Sequence, residues 1–118
     1  MQSHGRWIDL LGQFQGFVVE VNRAAGRTVL RVENSPVTCL EIEREDGTAL
    51  SVRYDSALYR VVCSGSFGAA NCEYELKALP VEGNDAVVWV DRLTRKTRAD
   101  KEIAELLLRT LLLAPVHA

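Results

Sequence analysis

Apolar side chains recur at Trp7, Leu10, Leu11, Phe14, Phe17, Val18 and Val21, the i, i+3, i+4, i+7 spacing that lines one side of a helix. The pattern predicts an amphipathic helix over roughly residues 4–25, with Ser3 as its cap and Gly26 as its stop. Gly12 and Gly16 fall inside it, each costing about 1 kcal/mol relative to alanine. Either the helix simply tolerates them or something approaches it closely there.

From Thr28 to Tyr54 the period changes to two. Thr28, Leu30, Val32, then Thr38, Leu40, Ile42, then Leu50, Val52, Tyr54 share one face, while Arg31, Glu33, Glu41, Glu43, Ser51 and Arg53 take the other. Asn34-Ser35-Pro36 and Glu45-Asp46-Gly47-Thr48 supply turn chemistry between the runs, so this region reads as a three-stranded antiparallel meander. Residues 55–65 are ambiguous. Asp55 or Ser56 can cap a short helix with Leu58, Val61 and Val62 on one side and Gly65 at its end, and the same residues suit a strand. The helix is the favoured expectation.

Cys72, Tyr74, Leu76 and Ala78 alternate with Glu73, Glu75 and Lys77 in a fourth strand, closed by Pro80 and a Gly83-Asn84-Asp85 turn. The fifth, Ala86–Val90, is apolar on both faces. One face meets the core, and Val88 and Val90 on the second therefore call for a loop, another subunit or a partner chain. Thr97 and Asp100 resemble an Asp form of the capping box and open a last helix, about 98–114, ended by Pro115. Its core stripe is Ile103, Ala104, Leu106, Leu107, Leu111 and Ala114, which turns Leu108 and Leu112 outward as contact candidates.

These elements make a two-layer α+β domain with a sheet of about five antiparallel strands. A length of 118 residues, with 47% hydrophobic and 25% charged residues, is that of one globular domain spanning 1–118. The longest apolar run, Leu106–Ala114, is broken by Arg109 and Thr110 and is too short to span a bilayer. The amino-terminal segment lacks the uninterrupted apolar region of a secretory signal, so a cytoplasmic location is expected.

Chemistry finds little purchase. His4 and His117 have no Cys, Asp or Glu at ligand spacing, and the paired carboxylates Glu41/Glu43 and Glu73/Glu75 sit on the solvent side of strands. Three cysteines, Cys39, Cys63 and Cys72, form no Cys-x-x-Cys pair; Cys63 and Cys72 could meet in a hairpin, but buried thiols are the simpler reading. No catalytic, metal or cofactor site is expected.

The strongest charge feature is residues 92–101, with Arg92, Arg95, Lys96, Arg98 and Lys101, five of the fourteen basic residues. Beside a helix amino terminus it favours an acidic partner or another polyanion. It carries no interleaved aromatic residue on which bases would stack, and the net charge of −2 gives no global attraction to nucleic acid. The residues thus support a non-catalytic protein-binding module contacting its partner through Val88, Val90, Leu108, Leu112, Arg92, Arg95, Lys96 and Arg98. The alternative is a nucleic-acid or polyanion-binding regulator using residues 92–101.

With residues 55–65 helical, the order is α-β-β-β-α-β-β-α. That order, with Leu30-Arg31-Val32-Glu33 and Cys39-Leu40-Glu41-Ile42 as a first hairpin, Ala57–Ala70 as a short central helix and turn, and Ala86–Leu113 as closing strand and helix, resembles the effector chaperones of bacterial type III secretion. The resemblance implies a homodimer, with Leu58, Val61 and Val62 as dimer contacts and a partner segment wrapped in extended form over apolar grooves. It implies no catalytic residue.

Overall fold

A computed structural model describes residues 3–34, 36–67, 70–80 and 87–114. The amphipathic first segment folds as helix α1 (Ser3–Ala25), burying Trp7, Leu10, Leu11, Phe14 and Val18. Gly26 ends it at φ +70. Its N–H donates to Arg23 O at 3.2 Å and that of Arg27 to Asn22 O at 3.3 Å, the paired bonds with which a left-handed glycine closes a helix.

Seven strands follow: β1 (Leu30–Glu33), β2 (Cys39–Arg44), β3 (Ala49–Asp55), β4 (Arg60–Phe67), β5 (Ala70–Pro80), β6 (Val87–Asp91) and β7 (Thr97–Arg98). Helix α2 (Asp100–Leu113) closes the chain. The strands pair in sequence order, every pair antiparallel, as one continuous meander. The α+β class expected from the pattern is therefore the one observed, with seven strands where about five were expected.

The inward positions Leu30, Leu40, Ile42, Leu50, Val52, Tyr54, Val61, Cys63, Leu76, Ala78, Val87 and Trp89 form one core with the buried sides of both helices. Both helices thus cover a single face of the sheet. The other face carries Arg31, Glu33, Glu41, Glu43, Arg53, Arg60, Glu75, Lys77, Leu79, Val88 and Val90, all exposed or half-buried.

Three expectations are corrected. Residues 56–59 are a turn and Arg60–Phe67 a strand, so there is no central helix. The registers Tyr54↔Val61 and Val52↔Cys63 explain the outcome. Alternation sends Val61 and Cys63 into the core beside residues already buried there, which a helical turn would not do. The last helix begins at Asp100, where the Glu102 carboxylate accepts from the N–H of Ala99 at 3.4 Å, while Thr97 belongs to β7. On that helix Leu108 is buried and Leu106 is 43% exposed, the reverse of the expected assignment. The stripe is centred on Ile103, Ala104, Leu107, Leu108 and Leu111, because α2 must pack against α1 as well as the sheet.

Polar links hold the layers in place. Trp7 stacks on Tyr54 at 5.6 Å, and its indole N–H donates to Val37 O at 3.0 Å. Trp89 donates to the Asp100 carboxylate at 2.8 Å, which also faces Arg6 at 3.4 Å, joining β6, α2 and α1. Burial pushes the Asp100 carboxyl above its ordinary range, with Arg6 and Trp89 pulling the other way. At the far end of α2, Arg44 donates to Leu111 O at 2.8 Å and Ala114 O at 2.6 Å. It also grips Asp46 at 2.9 and 2.6 Å and Thr48 Oγ1 at 3.1 Å. A guanidinium at a helix carboxyl terminus satisfies carbonyls that have no intrahelical donor.

Candidate partner-binding surface

Because α1 and α2 take one face, the opposite face of the sheet is the larger open surface, and its registers lay the side chains out in rows. One row runs Asp55, Arg60, Lys77, Val90, Thr97; the next runs Arg53, Val62, Glu75. Across these rows Arg60 lies 3.5 Å from Asp55 and 3.3 Å from Glu75, and Glu75 takes a second bond from Arg92 at 2.6 Å. That Arg92 hydrogen bond, assisted by Arg60, holds the Glu75 carboxyl below the usual carboxylate range. Beside the ladder, Thr38, Arg53, Tyr54, Asp55, Ser56, Arg60 and Val62 line a shallow depression of about 510 Å³.

Where the ladder ends, the face turns apolar. Leu79 stands opposite Val88, and Val90 lies one pair further along. The β3–β4 turn is at the same end of the sheet, because the N–H of Ala78 donates to Tyr59 O at 2.8 Å. Leu79 is 40% exposed, Leu58 51% and Tyr59 44%. Tyr59 holds this turn at φ 51, a left-handed conformation uncommon for a bulky residue. Leu79, Val88 and Val90 therefore make an apolar patch on the open face, with Leu58 and Tyr59 exposed in the turn at the same end of the sheet; Val88 and Val90 were expected there, Leu79 and Tyr59 were not.

The remaining expected contacts are dispersed. Leu112 is exposed but sits on the helical side of the sheet, opposite Val88 and Val90, and Leu108 is in the core. Of the three side chains the resemblance assigned to a dimer, Val61 is fully buried, Val62 is half-buried on the open face and Leu58 lies in the turn. The three no longer share a surface.

The basic run divides in the same way. Residues 92–96 form the β6–β7 turn, organised by the buried Asp91, whose carboxylate accepts from the N–H groups of Leu93 at 2.9 Å and Thr94 at 3.2 Å. Arg92 is committed to Glu75, and Arg98 lies between Asp91 and Glu102, at 3.9 Å from each. The first turn of α2 holds its own carboxylates, Asp100 and Glu102, which already complement the helix dipole there. Arg95, Lys96 and Lys101 remain exposed as cations with no ion pair among the described residues.

Among the described residues no group of three His, Cys, Asp or Glu side chains is placed to hold a metal ion, and no helix is long and apolar enough to cross a membrane. Cys63 is buried opposite Tyr74 in the β4–β5 register, and Cys72 pairs with Gly65. The Cys72 and His4 side chains, Gly68-Ala69, the Gly83-Asn84-Asp85 turn, Pro115 and His117 lie outside the described residues. No family model matches the chain, and no curated protein or solved structure matches it.

Proposed function

We propose that the chain is a non-catalytic protein-binding module that covers an apolar segment of a partner protein. The observation that carries the reading is the apolar corner where Leu79, Val88 and Val90 lie on a sheet face that no helix covers, at the end where the β3–β4 turn exposes Leu58 and Tyr59. Single exposed apolar residues are ordinary, but contiguous ones rimmed by charge mark an interaction surface. The neighbouring ladder of Asp55, Arg60, Glu75 and Arg92 supplies that rim. A partner would present apolar side chains to the corner and polar groups to the ladder, the layout of a dry centre with a wet margin.

The specific form suggested by the resemblance is a homodimeric effector chaperone of type III secretion. The chain differs from that family in two respects: a turn and strand β4 stand where the family has its central helix, and Leu58, Val61 and Val62 share no surface through which a dimer could form. Selection of peptides from a random library against the wild-type protein tests the binding reading. Apolar-rich peptides should emerge and should lose affinity at least about tenfold for Leu79→Asp/Val88→Asp, about 1.4 kcal/mol or more of binding energy. Peptides without apolar anchors, or peptides indifferent to the double substitution, would contradict the reading.

A further inference from the structure

The other end of the meander carries a second surface, built from the free edge of β1 and the flank of α1. In the β2–β3 hairpin the N–H of Arg44 donates to Thr48 O at 2.7 Å. Antiparallel alternation then turns the backbone groups of Glu43 toward β1, where Glu43 pairs with Arg31. The same alternation turns the N–H and C=O of Leu30 and Val32 away from β2, off the edge of the sheet. At Leu30 the Asn22 side chain takes both groups, accepting from Leu30 N and donating to Leu30 O, each at 3.0 Å. At Val32 no protein group among the described residues takes them.

Beside this edge, Gln15, Val18, Val19, Asn22, Thr28, Leu30, Val32 and Asn34 line an open groove of about 620 Å³, and Val19 is 54% exposed. Val32 faces the core side, and its neighbours Arg31 and Glu33 are both exposed on the sheet's open face. Glu33 stands directly opposite Glu41 on β2, a like-charge pair that costs stability in isolation.

We propose that β1 pairs antiparallel with β1 of a second copy of this chain about a twofold axis at Val32. The register about that axis sets Val32 opposite its own copy, so each N–H donates to the other's C=O. It sets Arg31 of each chain opposite Glu33 of the other, forming two cross-strand ion pairs and offsetting the Glu33–Glu41 repulsion. The segment is thus self-complementary in charge and in hydrogen bonding, as a twofold contact requires. The Asn22 clamp at Leu30 limits the pairing to Arg31–Glu33.

Three residues a side fall short of the roughly 1,000 Å² of total burial that a stable interface needs, so α1 must contribute. Asn22 lies at Leu30, and Trp7, at the other end of the helix, at Val37. Gln15, Gly16 and Val19 therefore lie near the level of Val32. A Cβ built on Gly12 or Gly16 meets nothing within 4 Å. Across the axis these glycines let α1 and its copy approach at the close end of helix packing, about 8 Å, with Val19 and Ile8, 43% exposed, covering each other. This gives the two helical glycines a role that the chain's own packing does not. The proposal is independent of the apolar corner at β5–β6, on the other side of the meander.

Sedimentation equilibrium across the micromolar range tests it. The wild type should dimerise reversibly; Arg31→Glu and Glu33→Arg should each weaken dimerisation at least about tenfold, and the double reversal should restore it. Gly16→Leu is read alongside, because it raises helix propensity while blocking the helix contact: the chain should stay folded by circular dichroism and lose the dimer. A wild type that remains monomeric overturns the proposal. So does a dimer indifferent to the single reversals or to Gly16→Leu, or a double reversal that fails to rescue. None of these outcomes depends on peptide binding at Leu79 and Val88.

Discussion

Replacing Arg44 by lysine keeps the charge and removes the planar fork. The guanidinium bridges a hairpin to the end of a helix 67 and 70 residues away, through carbonyl bonds of 2.8 and 2.6 Å, while gripping Asp46 twice. A lysine ammonium is a single point with three donors and cannot serve both groups. The Asp46 pair is local and solvated, so its loss adds little. Losing one charge-assisted bond to a helix-end carbonyl costs about 1.5 kcal/mol or more. A loss of about 2 kcal/mol from the helix-end carbonyl bonds, at roughly 4 °C per kcal/mol for a chain of this size, lowers Tm by about 8 °C. Differential scanning calorimetry at neutral pH reads it directly. Arg109→Lys is the control: its bond to Glu105 at 2.7 Å joins two exposed side chains one helical turn apart, worth about 0.5 kcal/mol at most. An Arg44→Lys protein melting within about 2 °C of wild type, or no lower than Arg109→Lys, would refute the assignment of Arg44 as the tie between sheet and α2.

Other consequences follow from single contacts. Trp7→Phe removes the indole bond to Val37 O and some fully buried volume, and should cost about 2–3 kcal/mol in urea denaturation. The Arg44 hydrogen bond holds the Asp46 carboxyl well below its ordinary range. The stability it contributes is therefore present above the unfolded-state value near pH 3.9 and lost as the pH falls. Asp46→Asn should flatten the acid side of a stability-against-pH curve, and an unchanged slope would argue against the pair. Arg95 occupies φ 60, so Arg95→Gly should raise stability by about 0.5–1 kcal/mol. The substitution also removes one of the exposed cations, so polyanion binding that survives it undiminished would not run through this turn.

The strands of residues 30–54 were legible because a period of two maps directly onto inward and outward, and Asn34, Asp46 and Gly47 announce their turns. Residues 55–65 were not, for two reasons. Leu58, Val61 and Val62 fit a helical spacing as well as they fit a turn and strand, and the turn is made by Tyr59 at positive φ, with no glycine to signal it. The rotation of α2 was hidden in the same way: its leucines at 106, 107, 108, 111, 112 and 113 populate almost every direction, and packing against α1 chooses among them. Val88 and Val90 could be found from their own strand, since a doubly apolar strand in a two-layer domain leaves one face uncovered. Leu79 could not, because only the register brings it beside those valines, and Tyr59 is set at the same end of the sheet by the bond its carbonyl takes from Ala78. The edge of β1 depends on Asn22 reaching Leu30 from another element, a contact that no local pattern encodes.

The most direct test of the binding account is affinity purification from the native host with the wild-type chain and with Leu79→Asp/Val88→Asp, both shown to have the same fold by near-ultraviolet circular dichroism. The account predicts a partner protein that accompanies the wild type in stoichiometric amount and is lost with the double substitution. A partner retained equally by both proteins would place the binding surface elsewhere and contradict it.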